Sequence, residues 1–232
     1  MDLFRRALLT LAAIIGISSS AEAYISTRTS TGAPVRWAEG ATLTFRVNTT
    51  NQSGLLSDAI LQIFTTALNR WKQSAFGSFG FNYYQGTNTA QYPNYQGSVQ
   101  DNSIFFTSNA ASSQDKLPCG VVAVTQTWYQ NSGGAYKADL RFNDECFQFT
   151  NNPRDTSSQR QIYLGDVAAH ELGHALGLDH SQNLQSTMVF TAGLQQHMLS
   201  CDEQTAMMSL YAPGSEQSKA GSITGQVLNP SG

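Results

Sequence analysis

Charge is scarce in this chain. Only 12% of its 232 residues are Asp, Glu, Lys or Arg, the formal net charge is −3, and no run of basic residues occurs. That excludes nucleic acid or an anionic membrane surface as the main partner, because both need clustered Lys and Arg. Long apolar runs are also missing. The one apolar stretch, Ala7 to Ile17, is too short to span a bilayer, and nothing later in the chain approaches the required length. Cysteine is limited to Cys119, Cys146 and Cys201, so one disulfide at most forms within the chain and one thiol is left over. Histidine is scarce too, with four residues in all, and three of them fall between positions 170 and 180.

Those three sit in Val167-Ala168-Ala169-His170-Glu171-Leu172-Gly173-His174-Ala175-Leu176-Gly177-Leu178-Asp179-His180-Ser181. His170 and His174 are one helical turn apart, so two imidazoles on one face can reach a single metal ion. Glu171 projects toward the same region, where it can hold and deprotonate a water on that metal rather than act as a fourth ligand. Gly177 ends the helix in the left-handed conformation, and the sharp turn returns His180 as third ligand. Three neutral imidazoles leave the fourth tetrahedral position of Zn²⁺ open, as catalysis requires. A bare His-Glu-x-x-His string also occurs on ordinary surface helices; the longer pattern fixes three histidines, the glutamate and the turn glycine together.

His-Glu-x-x-His-x-x-Gly-x-x-His followed by Ser181 resembles the signature of the metzincins and, among them, of the matrixins. Met188, in Ser186-Thr187-Met188, stands at a spacing similar to that of the methionine in the family's turn beneath the metal. The resemblance implies an α+β, zincin-like fold: a twisted five-stranded mixed sheet with an antiparallel edge strand, two long helices including the zinc helix, and a C-terminal helix after the Met-turn. It also implies a secreted zinc endopeptidase with one catalytic Zn²⁺ on His170, His174 and His180, Glu171 as general base, and Met188 as an apolar floor.

The rest of the chain reads in the same order. Arg5 and Arg6, the apolar run and Ala21-Glu22-Ala23 form a cleavable signal peptide over residues 1–23, so export to the extracellular space is expected. Residues 24–34 read as an extended arm, 35–213 as the catalytic domain, 214–220 as a linker, and 221–232 as either a tail or the opening strand of a β-sandwich domain. Leu43, Phe45 and Val47 alternate as a first strand. Ile60, Ile63, Phe64, Ala67, Leu68 and Trp71 recur at helical spacing, with Ser57 as the expected cap and Asp58 in the first turn. Phe79 to Tyr83 and Ile104 to Phe106 are further strands, separated by a long loop from Gln85 to Gln100. Val121 to Tyr129 and Tyr136 to Phe142 flank the turn Asn131-Ser132-Gly133-Gly134. A hairpin centred between Ser132 and Gly133 puts Cys119 opposite Cys146, the preferred disulfide, and leaves Cys201 either buried and free or paired between molecules. Ser200 and Glu203 form a capping box at a last helix.

Several positions depart from the matrixin pattern. Histidines for the family's structural zinc are missing, so a second zinc is not expected. Asp139, Asn143, Asp144 and Glu145 lie where matrixins bring acidic residues to calcium, and read either as Ca²⁺ ligands or as a solvated turn. Val189-Phe190-Thr191-Ala192 does not reproduce the family's Pro-x-Tyr pocket wall. Asp166 occupies a position that sets pocket depth in matrixins; it either selects polar or basic side chains or simply favours the first turn of the zinc helix. The expected partner is a protein or peptide bound in extended form along the strand from Val121 to Tyr129, with a monomer as the default state. Two other readings stay open: a metzincin scaffold kept for adhesion, and a zinc hydrolase acting on something other than peptides.

Overall fold

The computed structural model describes residues 24–87, 102–110, 113–154, 161–193 and 195–217. The expected signal peptide at residues 1–23, most of the loop from Gln85 to Gln100, the end of the expected linker and the 221–232 segment lie outside the described residues. Five strands form the main sheet: β1 (Thr42–Val47), β2 (Gly80–Gln85), β3 (Asn102–Phe106), β4 (Ala123–Tyr129) and β5 (Ala135–Phe142). Their spatial order is β2-β1-β3-β5-β4, parallel except for the antiparallel β4–β5 pair, which leaves β4 on one edge. A small parallel pair not foreseen in the sequence, β6 (Gln148–Thr150) and β7 (Gln161–Tyr163), leads into the next helix. Central β3 is buried along its whole length, which explains why Ile104-Phe105-Phe106 runs apolar without alternation.

Helices α1 (Ser57–Ser74) and α2 (Leu164–Ala175) pack against each other beside this sheet, and α3 (Cys201–Tyr211) lies next to α1. The apolar stripe of α1 is buried at the six positions that its periodicity marks. Ser57 is not the cap. It is the first helical residue, and its hydroxyl pairs with that of Thr49 at 2.8 Å, while Leu56 precedes the helix in extended conformation. At α3 the capping box does form: Ser200 Oγ accepts from Asp202 N, and Glu203 Oε2 accepts from Ser200 N at 2.8 Å. Cys201 opens this helix as an exposed thiol with no partner in the chain, which corrects the buried alternative. Residues expected to begin a linker instead form a single helical turn, α4 (Gly214–Gln217).

The β4–β5 register pairs Ala123 with Phe142, Thr125 with Leu140 and Trp128 with Lys137, and only slips between Trp128 and Tyr129 at the turn. Continued past Phe142 it places Cys119 opposite Cys146, and those two are joined by a disulfide with 5.2 Å between Cα atoms. The 24–34 arm is extended but not loose. Ser26 bridges to Leu178 and Arg28 to Pro34, so the arm returns on itself against the end of the zinc-helix segment.

Candidate active site

Helix α2 is almost wholly buried, and three aromatic donors seat it. Trp71 Nε1 donates to the Ala169 carbonyl at 3.0 Å, Trp37 Nε1 to Ala175 at 2.8 Å and the Tyr211 hydroxyl to Leu176 at 2.8 Å. The last two satisfy carbonyls that a helix C-terminus leaves without intrahelical partners. Gly177 follows with φ +93°, and a Cβ there would lie 2.0 Å from the Val35 carbonyl oxygen. Glycine is therefore needed both for the turn and for the close approach of Val35, where the arm joins the domain. Thr27 N donates to the Gly177 carbonyl at 2.8 Å and Asp179 N to Ile25 at 2.9 Å, which fixes the turn that carries His180.

The three histidines converge. His174 Nε2 is 3.1 Å from His170 Nε2 and 3.3 Å from His180 Nε2. His170 Nδ1 faces the Thr187 carbonyl at 2.8 Å and His174 Nδ1 faces the Leu178 carbonyl at 2.9 Å. A ring nitrogen facing a carbonyl carries the proton, so both Nε2 atoms present lone pairs to the centre. Burial pushes His170 down to about 4, with His174 beside it adding to the effect, and burial lowers His174 too, so both rings are neutral at pH 7. Lone pairs at this distance repel unless a cation lies between them. Tetrahedral zinc with bonds of ~2.0–2.1 Å holds its ligand nitrogens roughly 3.3 Å apart, which is the spacing found. The donor set fits Zn²⁺.

Met188 is buried against α2. A Cβ on Gly173 would come within 2.3 Å of its sulfur, so the helix glycine between the two ligands is what lets Met188 pack against α2. Glu203 of α3 holds the turn from below. Its carboxylate accepts from the Ser186 hydroxyl, from Met188 N at 3.1 Å, and from both the amide and the hydroxyl of Ser200. Burial alone would raise its pKa, but these donors outweigh it and hold the acid below its ordinary value.

Glu171, 4% exposed, accepts a hydrogen bond from the Thr125 hydroxyl of β4 on Oε2 at 2.7 Å. Burial pushes this acid up to about 7 and the Thr125 hydrogen bonds restrain the rise. It opens on a cleft of about 750 Å³ between β4 and the 189–196 segment. Among the described residues that line it, only Glu171, the three histidines and Tyr129 can titrate. Phe190 stands at its mouth, 72% exposed, with its ring 6.5 Å from that of His180.

Asp166 is not in the cleft wall. It is 2% exposed and accepts from both His197 N at 2.8 Å and His197 Nδ1 at 2.5 Å, while Arg70 donates to the His197 carbonyl at 2.6 Å. Of the two readings of this residue, its place in the first turn of α2 is what the structure has, and the carboxylate also anchors the end of the 189–197 segment; selection of basic side chains has no support from its contacts. The four candidate calcium ligands face separate partners. Asp139 accepts from Ser103 N at 2.7 Å and lies 3.1 Å from Lys137 Nζ; Asp144 takes Gln52 N and both donors of Ser108; Asn143 Nδ2 donates to the Val121 carbonyl; Glu145 pairs with Lys116. Among the described residues, the histidine triad is the group of His, Cys, Asp and Glu side chains placed to hold a metal.

A sequence profile of the matrixins, peptidase family M10, matches residues 36–212. The chain belongs to the matrixin family. Interstitial collagenase of Sus scrofa is a similar protein, 38% identical over 69 residues, which is 28% of this chain and 14% of the collagenase. The chain thus spans a small part of that relative's length.

Gly173, Thr125, Thr187 and Glu203 complete the site, and sequence reasoning did not assign them these roles. A glycine inside a helix costs about 1 kcal/mol against alanine and so signals a packing reason. Nothing in the strand pattern marks Thr125, whose partner becomes visible only once β4 is laid against α2.

Proposed function

We propose that the protein is an exported zinc endopeptidase that cleaves extended peptides bound along β4. The observation that carries this reading is the triad of converging imidazole nitrogens beside the buried carboxylate of Glu171. When bound, zinc supplies an acidified water and a Lewis acid for the scissile carbonyl. Glu171 takes the water's proton through the carboxylate oxygen not held by Thr125, and passes it to the departing amine. The free edge of β4 offers backbone donors and acceptors to a substrate added as a further strand, which sets the carbonyl over the site. Among the described residues, the cleft lining around Val167, Val189 and Ala192 carries no Asp, Glu, Lys or Arg apart from Glu171, which favours uncharged side chains next to the cleaved bond. The leader at residues 1–23 and the Cys119–Cys146 disulfide both suit an oxidising, extracellular setting.

The test is cleavage of denatured casein by the full chain beside Glu171→Ala, with zinc measured on both. The expected result is cleavage by the parent alone, lost with a chelator and restored by zinc. A zinc-loaded parent that cleaves no faster than the variant would overturn the reading and leave the scaffold a binding role.

A further inference from the structure

We propose that Thr125 is the positioning residue of the general base: its hydroxyl holds Oε2 of Glu171 so that the other carboxylate oxygen alone faces the cleft. The proposal rests on the peptidase reading above and adds to it a residue that lies outside the zinc-binding motif.

The placement is set by the fold. Strand β4 alternates, so Thr125 and Thr127 both point toward α2, and each meets a helix carbonyl: Thr125 Oγ1 that of Glu171 at 2.9 Å, Thr127 Oγ1 that of His174 at 3.3 Å. Residues two apart on a strand thus match residues three apart on the helix. A threonine used only to stitch strand to helix needs nothing more, and Thr127 has only this contact on α2. Thr125 has a second acceptor at shorter range, Glu171 Oε2 at 2.7 Å, and a hydroxyl carries one proton. When Glu171 is ionised, the form in which it acts as base, that proton goes to its charged oxygen and not to the neutral carbonyl, since charge-assisted bonds are about twice as strong. One carboxylate oxygen is then fixed from the side of the strand. Rotation about the last side-chain bond of Glu171, otherwise broad, is removed.

The strand that anchors the base is also the one on which the proposed substrate lies. Base and scissile bond therefore share one reference, and a shift of β4 against α2 carries both.

The test uses the full chain with Thr125→Val, which keeps the shape and removes the donor, and Thr125→Ser, which restores the donor. Steady-state cleavage of one peptide, zinc content and a crystal structure of each variant are the readouts. The expected outcome for Thr125→Val is kcat lower by roughly ten- to a hundredfold with KM within about twofold, zinc retained at one per chain, and the Glu171 carboxylate rotated. Thr125→Ser should recover kcat to within about threefold of the parent. A Thr125→Val protein with parental kcat, or with Glu171 unmoved, overturns the proposal. So does a loss of kcat that follows loss of zinc and is not recovered by serine. Should the parent itself fail to cleave, the peptidase reading fails by itself, and the Glu171 rotamer in Thr125→Val still decides the role of Thr125.

Discussion

Replacing Gly177 with alanine should unhook the N-terminal arm and loosen the third zinc ligand together. The backbone at Gly177 has φ +93°, where a side chain costs about 1–2 kcal/mol. The new Cβ would also sit 2.0 Å from the Val35 carbonyl oxygen, a main-chain atom that cannot rotate away. The arm has to withdraw, forfeiting the bonds Thr27 N to Gly177 O and Asp179 N to Ile25 O, each contributing about 1 kcal/mol. The sum is about 3–4 kcal/mol, or roughly a 10 °C fall in melting temperature for a domain of this size. Because the same turn carries His180, zinc affinity measured by chelator competition should drop as well. Gly133→Ala supplies the comparison. That glycine also has φ +93° and faces an arm carbonyl, Pro34 O at 2.3 Å, but it lies in the hairpin turn away from the ligands. Gly133→Ala should lose similar stability and keep parental zinc affinity. Equal losses of zinc affinity in the two variants, or an unchanged Gly177→Ala, would refute the linkage of arm and ligand.

Gly173→Ala drives a methyl into the Met188 sulfur and against Trp71, so it should cost about 1–3 kcal/mol by overpacking and shift the visible spectrum of a cobalt-substituted protein. Asp166→Leu leaves His197 without its partner and should lower the melting temperature by several degrees, while a peptide-library profile shows no change in preference for basic side chains; a change would restore Asp166 to the cleft. Two buried acids should act on stability with opposite sign, readable as melting temperature against pH. Asp139, pushed up to about 6 by burial, contributes stability that is complete below the ordinary Asp value of 3.8 and lost as pH rises through 6, and Asp139→Asn should flatten that slope. Glu203, held low by its donors, contributes stability that is complete above its ordinary value of 4.5 and lost as pH falls through its depressed one, an acid limb that Glu203→Gln should remove.

The elements that could be read from the chain are those whose signal is local. The stripe Ile60 to Trp71 and the alternation Leu43, Phe45, Val47 are buried as spaced, because each needs only its own period. The hairpin register followed from one turn sequence, since a slip of one residue would exchange the two faces of β4 and β5. The acidic residues Asp139, Asp144 and Glu145 and the carboxylate of Asp166 were not legible for the opposite reason. A carboxylate in sequence is only a capacity to accept, and whether it meets a cation, an amide or a histidine is decided by segments far away: Gln52 and Ser108 for Asp144, His197 for Asp166. Ser57 misled in a related way, because Thr49 lay within reach of its hydroxyl and the first turn of α1 did not use it.

The same distance dependence explains how the site is held. Each element of the motif on α2 is oriented by a group outside that helix: His170 by the Thr187 carbonyl, Glu171 by the Thr125 hydroxyl, His174 by the Leu178 carbonyl, and the turn before His180 by the arm through Thr27 and Ile25. A helix carrying His-Glu-x-x-His in isolation would leave all four free to rotate. Folding instead brings His174 Nε2 to within 3.1 Å of His170 Nε2 and 3.3 Å of His180 Nε2, the spacing of ligand nitrogens around tetrahedral zinc. A zinc ion on these nitrogens would cross-link α2 to the turn beyond it. A ligand that binds only the folded form raises stability by RT ln(1 + [L]/Kd), about 4 kcal/mol at a thousandfold excess over Kd. Chelation should therefore lower the melting temperature by roughly 10 °C, and a chelated protein that melts with the zinc-loaded one would mean that the triad is not a metal site at all.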